Sequence, residues 1–316
     1  MRKQTYTSIS YCIWMMGLLL MGMPLTAKNR TTSECKHYMV TSLAGGYGLP
    51  TGDFSHVGSA NALAGQIQLG YEVAYRHFIM QTGVGLQVKN YWWKAENYQT
   101  SLDLTDTQGT NYTYAYYFRD RNDKALTSSA TLSLLFGARY YYFYFLSGFT
   151  GTFRFYDKGS ASAWVSCSGL YNRYISDFSD MENHAFYKDI PVEETGMESF
   201  VQGKVQVSPY LEVGADFSNY TNALTGYRNN RHNETRVRVA AYVQYGLINE
   251  QKEPRFRQPY RIDPTTPYNV EAVKISALLD NTHMAGKYLR QLELGLKVSV
   301  LFRVAGQNDF CVSCGY

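Results

Sequence analysis

Gln66-Ile-Gln-Leu-Gly-Tyr-Glu-Val-Ala-Tyr-Arg-His-Phe-Ile-Met-Gln-Thr-Gly-Val-Gly-Leu-Gln-Val88 decides the fold. Up to Tyr75 the apolar side chains stand at odd numbers: Ile67, Leu69, Tyr71, Val73 and Tyr75. From Phe78 they stand mostly at even ones: Phe78, Met80, Val84, Leu86 and Val88. Alternation with a period of two is the signature of a strand, because successive side chains leave opposite faces. The parity changes across Arg76-His77. A tight turn there sets Ile67 against Leu86, Leu69 against Val84 and Val73 against Met80, all on one apolar face. Gln66 with Gln87, Glu72 with Gln81, and Gly70 with Gly83 make the other face. Exposed strand glycines weaken a sheet, whereas a narrow interior needs small residues. The polar, glycine-bearing face is therefore expected to look inward and the apolar face outward to lipid, the arrangement of outer-membrane barrels.

The same two-faced pattern recurs along the chain. Lys36 to Gly48 is a less regular strand, and Leu49 to Ala64 is expected to be a loop. Ser129 to Ala138, Tyr142 to Phe155, Lys204 to Phe217, Thr235 to Leu247 and Gln291 to Arg303 alternate as strands. With the opening hairpin they make eight, each near the ~9–11 residues that cross a membrane at a tilt. Tyr91 to Ser128, Tyr156 to Gly203 and Glu250 to Lys287 are long insertions, with a turn at Asp106 to Gly109. Long connections alternate with short ones, as in an up-and-down barrel with turns on one side and loops on the other. The expectation is thus an all-β fold: an eight-stranded antiparallel up-and-down transmembrane β-barrel over residues 28–305, with long extracellular loops and both termini periplasmic.

Met1 to Ala27 has the form of a secretory signal peptide. Arg2 and Lys3 precede an apolar run from Cys12 to Met23, and Leu25-Thr26-Ala27 is a cleavage site. A tail, residues 306–316, carries Cys311 and Cys314, whose spacing lacks the second ligand pair of a zinc site. A net charge of +4 is too small to suggest nucleic acid as a partner. The 29 tyrosines and 16 phenylalanines exclude a disordered chain. His56, His184, His232 and His283 lie in no recognisable catalytic motif, so neither an enzyme nor a cofactor is expected.

The inward face should carry Glu72, Arg154, Glu212, Asp216, Arg236, Arg238, Glu293 and Lys297. Charges of both signs in a poorly hydrated interior must pair, because an unpaired buried charge is costly. Asp216 with Arg236 or Arg238 is the expected pair. A lumen held by ion pairs is a structural plug; a small pore is the alternative. Tyr75, Phe78, Trp92, Trp93, Tyr141 and Phe302, near strand ends, are expected as interfacial aromatics at the headgroup level.

Laid out in this way, the chain resembles the bacterial outer-membrane β-barrel domain family of the PorT-like and OmpA-like group. The likeness rests on Gly70 to Gly85, Phe143 to Gly148, Tyr245 to Asn249, and Leu294 to Arg303 with the Cys-x-x-Cys tail, and covers most of the chain beyond residue 27. It departs in its end: many such barrels stop at the last strand's aromatic, whereas 14 residues follow Phe302. The expected role is non-enzymatic, that of a surface-exposed structural or interaction protein, with an accessory to secretion of the PorT-like kind as the alternative. Some members assist protein secretion, so outer-membrane lipid and an extracellular or secretion-machinery protein are the implied partners.

Overall fold

The computed structural model describes residues 35–52, 54, 57–105, 109–171, 177–179, 186–197, 204–217, 235–250, 260–262, 273–278 and 288–306. All belong to one compact unit of the chain, Glu34–Tyr316. The signal-peptide reading, the four histidines and the Cys311/Cys314 tail lie outside the described residues.

The opening hairpin forms as its alternation requires. Strands β1 (Cys35–Gly52), β2 (Val57–Tyr75) and β3 (Phe78–Ala95) run antiparallel. Ile67 pairs with Leu86, Leu69 with Val84, Glu72 with Gln81 and Gly70 with Gly83. Arg76 makes the turn at φ 54, and Tyr141 makes an equivalent turn between Tyr140 and Phe143, also at φ 54. Both are two-residue hairpin turns, in which a positive φ matches the twist of the strands.

The remaining strands are β4 (Tyr98–Thr105), β5 (Asn111–Tyr140), β6 (Phe143–Tyr171), β7 (Asp177–Ser179), β8 (Ile190–Met197), β9 (Val205–Asp216), β10 (Thr235–Tyr245), β11 (Tyr260–Ile262), β12 (Val273–Ile275) and β13 (Leu289–Gly306). One sheet holds eleven of them, in the order β4-β5-β3-β2-β1-β13-β10-β9-β6-β7, with β8 on β6. β5 and β6, near opposite ends of that order, also pair directly from Tyr112↔Tyr171 to Tyr140↔Phe143. β11 and β12 form a separate two-stranded sheet.

This corrects the expected architecture. The sheet is not an eight-stranded up-and-down barrel with long loops: it has eleven strands, its order ends on β4 and β7, and β8 is a side branch. Most of the segments expected as loops are strand. Leu49 to Ala64 continues β1 and begins β2, and the first two long insertions supply β4, the first half of β5, the second half of β6, β7 and β8. Two irregularities hide this. The register shifts between Arg119 and Asn122, and again where Ser128 and Ser129 face Tyr156 and Arg154. Each bulge advances the chain by one residue and exchanges the faces, so a single parity cannot follow the strand through it. Phe155 and Tyr156 are consequently both exposed.

The two faces of the sheet carry opposite chemistry. Leu43, Ile67, Leu86, Leu132 and Leu296 are each about 60% exposed, whereas Gln68, Gln81, Gln87, Thr131 and Ser133 are buried. Along β5 and β6 this distribution reverses. Beyond the bulges the interior is filled by Tyr98, Tyr114, Tyr116, Phe118, Val165, Cys167, Phe186 and Tyr187, and Asn122, Lys124, Lys158 and Ser162 face outward. Polar-inside and apolar-inside segments thus share continuous strands.

The narrowness of the interior shows at glycine. A Cβ on Gly148 would strike the carbonyl of Leu134, and one on Gly137 that of Phe145, while Gly65 has open space. Gly148→Ala is therefore expected to destabilise the folded protein by about 1–3 kcal/mol, as overpacking does, with Gly65→Ala near neutral. Urea unfolding followed by tryptophan fluorescence in detergent checks this; equal midpoints for the two variants would refute the close approach.

Candidate functional site

The interior charges arise from strand alternation and meet in layers. Nearest the tight turns, Glu72 is fully buried. Arg238 engages it with both terminal nitrogens, Nη1 to Oε2 and Nη2 to Oε1, the latter at 2.9 Å. Arg238 Nε also donates to Asp216 Oδ2 at 3.2 Å, across a registered pair of β9 and β10. Arg139 and Arg236 approach the same oxygen at 3.4 and 3.6 Å. Both of the expected partners therefore surround Asp216. The Arg238 guanidinium lies over the Tyr144 ring and that of Arg236 over Tyr38, so the cations are flanked by π-faces as well as carboxylates.

One layer on, Glu212 accepts from Lys297 Nζ at 2.9 Å, Tyr144 Oη at 2.6 Å and Tyr210 Oη at 2.8 Å. Further along, Glu293 pairs with Lys89 at 2.7 Å and accepts from Tyr242 Oη at 2.8 Å. Arg154 meets Glu250 at 3.4 Å, whose other oxygen accepts from Gln206. Every charged residue expected inside is inside, and each has an opposite charge within reach.

Five contributors escaped the sequence reading. Tyr144, Tyr210 and Tyr242 share the parity of the polar residues on their strands, which was a usable signal. Arg139 lay in a segment expected as a turn. Glu250 sits past the end of β10, and only the fold brings it to Arg154.

Two cavities open between these layers. One of about 20 Å³ is lined by Gln87, Lys89, Arg154, Glu250, Gln291 and Glu293 among others, and one of about 10 Å³ by Ser42, Gln66, Gln68, Tyr210 and Lys297 among others. Each has room for about one water.

The aromatics divide. Tyr75, Phe78, Tyr141 and Phe302 face outward, Tyr141 at 79% exposure, and Trp92 is half-buried. Trp93 is a correction. It is 1% exposed and packs edge-on to Phe54 in the aromatic interior. Inward-facing residues of β3 fall at odd numbers throughout, and Trp93 obeys that parity rather than the position of the strand end.

Beyond the charged layers Arg121 pairs with Asp123 at 3.0 Å and donates to Tyr98 Oη at 3.0 Å. It also donates to the Ser276 carbonyl, while Asp123 accepts from the Leu278 amide at 2.6 Å. This buried pair ties the segment after β12 to β5. Nearby, burial pushes the Cys167 thiol up to about 12, against a smaller opposing effect of the hydrogen bond with Tyr114.

No family model matches the chain, and no curated protein does. Among solved structures, the translocator domain of the autotransporter NalP from Neisseria meningitidis is 9% identical, covers 94% of this chain and 98% of that one, and has a TM-score of 0.22. A score that low bears on neither fold nor activity.

Two outcomes follow. Arg238→Met strands Glu72 in the interior and should cost about 3–5 kcal/mol; adding Glu72→Gln should recover part of that loss. Urea unfolding in detergent measures both, and a neutral single variant would refute the pairing. Burial raises the Cys167 thiol and keeps it protonated and inaccessible at pH 8. A maleimide should therefore leave it unmodified in the folded protein and label it after unfolding, read by peptide mass.

Proposed function

We propose that this is an outer-membrane protein whose apolar outer face lies against lipid, and that it acts as an accessory to protein secretion or assembly. The observation that carries the membrane reading is the reversal of polarity within β5 and β6. Where the outside is apolar, the inside is charged and amide-rich; past the bulges, the inside is aromatic and the outside polar. An exposed surface of Leu, Ile, Val and Phe on every strand from β1 to β3 is far larger than the apolar patches of water-soluble proteins. On β3 it runs from Phe78 to Val88, about 33 Å along the strand and ~25 Å at a tilt of ~40°. That matches the hydrocarbon band of outer-membrane proteins. Tyr75, Phe78, Tyr140, Tyr141, Tyr142 and Phe143 gather at the tight-turn end, where amphipathic rings suit the headgroup level.

The accessory role is favoured over a pore because ion pairs and tyrosines occupy the interior and its cavities hold about a water each. It is favoured over a passive scaffold because the sheet order ends on β4 and β7, both beyond the apolar belt. A strand at a sheet edge presents unpaired N–H and C=O groups to which another chain's strand can add. The PorT-like resemblance agrees with this role.

In an isolated outer-membrane fraction, the protein should migrate faster on gels unheated than heated, and in planar bilayers it should conduct no measurable ion current. Cysteines placed along β4 should cross-link to a secreted or secretion-machinery protein. Recovery as a soluble periplasmic protein without a heat shift would overturn the membrane reading; steady single-channel conductance would overturn the choice against a pore.

A further inference from the structure

Lys94, Lys124 and Lys158 project outward from three adjacent strands, β3, β5 and β6, at the level where the polarity reverses. Trp92 pairs with Lys124 and Lys94 with Asn122, so Lys94 and Lys124 are diagonal neighbours. Lys158 pairs with Leu126, two residues from Lys124, and is its diagonal neighbour on the other side. Diagonal neighbours stand about 7–8 Å apart, so three ammonium groups span roughly two such steps. All three residues are exposed, and among the described residues none forms an ion pair. The acidic residue between them, Asp123, is turned inward onto Arg121. Tyr156 lies under the Lys158 ammonium at 6.0 Å, and Trp92 is half-buried beside Lys124. Directly on the lipid side lie Val88, Leu126, Leu132, Phe153 and Phe155, all exposed.

We propose that this patch is a docking site for a lipid headgroup carrying more than one phosphate. The lysines receive the phosphates, Trp92 and Tyr156 sit at the glycerol or sugar level, and the acyl chains lie along the apolar surface below. The spacing of three cations over two diagonal steps suits two separated phosphates better than one. The leaflet follows from the fold. β1 begins and β13 ends at the tight-turn end, Lys36 pairing with Gly306, and tight turns are periplasmic in outer-membrane proteins. The lysines are at the opposite, outer side. This assignment rests on the membrane reading given above.

The test uses the full chain in phosphatidylcholine vesicles containing either diphosphoryl lipid A or phosphatidylglycerol, with retained lipid counted by native mass spectrometry after detergent exchange. The wild type and the K94R/K124R/K158R variant should retain lipid A. The K94Q/K124Q/K158Q variant should bind it roughly a hundredfold more weakly, as expected for the loss of three surface cations at ~1 kcal/mol each. Equal retention of lipid A by the glutamine variant would overturn the site. Equal retention of phosphatidylglycerol and lipid A by the wild type would overturn the assignment to a multiply phosphorylated headgroup. Heat-dependent gel migration of the same vesicle samples separates the two ideas. If it is present in every variant, a negative lipid result counts against the patch alone; if it is absent from the wild type, the membrane reading itself has failed.

Discussion

Formal charges buried in an interior that water scarcely enters must each be met by an opposite charge at hydrogen-bond distance. In this protein that constraint governs the whole polar half of the sheet. Glu72, Arg238 and Asp216 form one connected group, Glu212 and Lys297 a second, Lys89 and Glu293 a third, and Arg154 and Glu250 a fourth. Each group joins residues far apart in sequence, so none can form until the strands are in register. A one-residue slip would turn every member onto the apolar face. The ion pairs therefore specify the register more than they stabilise it, since replacing buried pairs by apolar groups is often neutral.

Tyrosine is what makes such an interior packable. Tyr144, Tyr210 and Tyr242 donate to Glu212 and Glu293 while their rings fill space beside Ile79, Leu135 and Leu146. A ring supplies volume and its hydroxyl supplies a donor. Beyond the bulges the same residue type serves a different end: Tyr98 stacks on Phe118, Tyr112 on Tyr171, and Tyr114 leans on Tyr116 and Phe186. One abundant residue type thus lines both a charged interior and an apolar one along the same continuous strands.

The alternation at Gln66 to Val88 was enough to set the hairpin's pairing, both of its faces, and the inward direction of the polar one. The eight charged residues assigned to the interior were legible for the same reason: side-chain direction in an unbroken strand depends only on parity. Where parity breaks, legibility ends. The bulges opposite Trp164 and at Phe155 exchange the faces of β5 and β6, and the stretches beyond them, although alternating again, resembled loops. Trp93 was misplaced because its nearness to a strand end outweighed its odd number.

By itself the sequence determined local direction: which side chains share a face, where the tight turns fall, and that the glycine-bearing face must be the crowded one. Those properties depend on residues a few positions apart, whose geometry the backbone dictates. Tertiary structure alone decided the strand count and order, the continuation of β5 and β6 past their bulges, and the convergence of Arg139 and Glu250 on partners far along the chain. These follow from which strand lies beside which, a matter of long-range register and packing that no local pattern encodes.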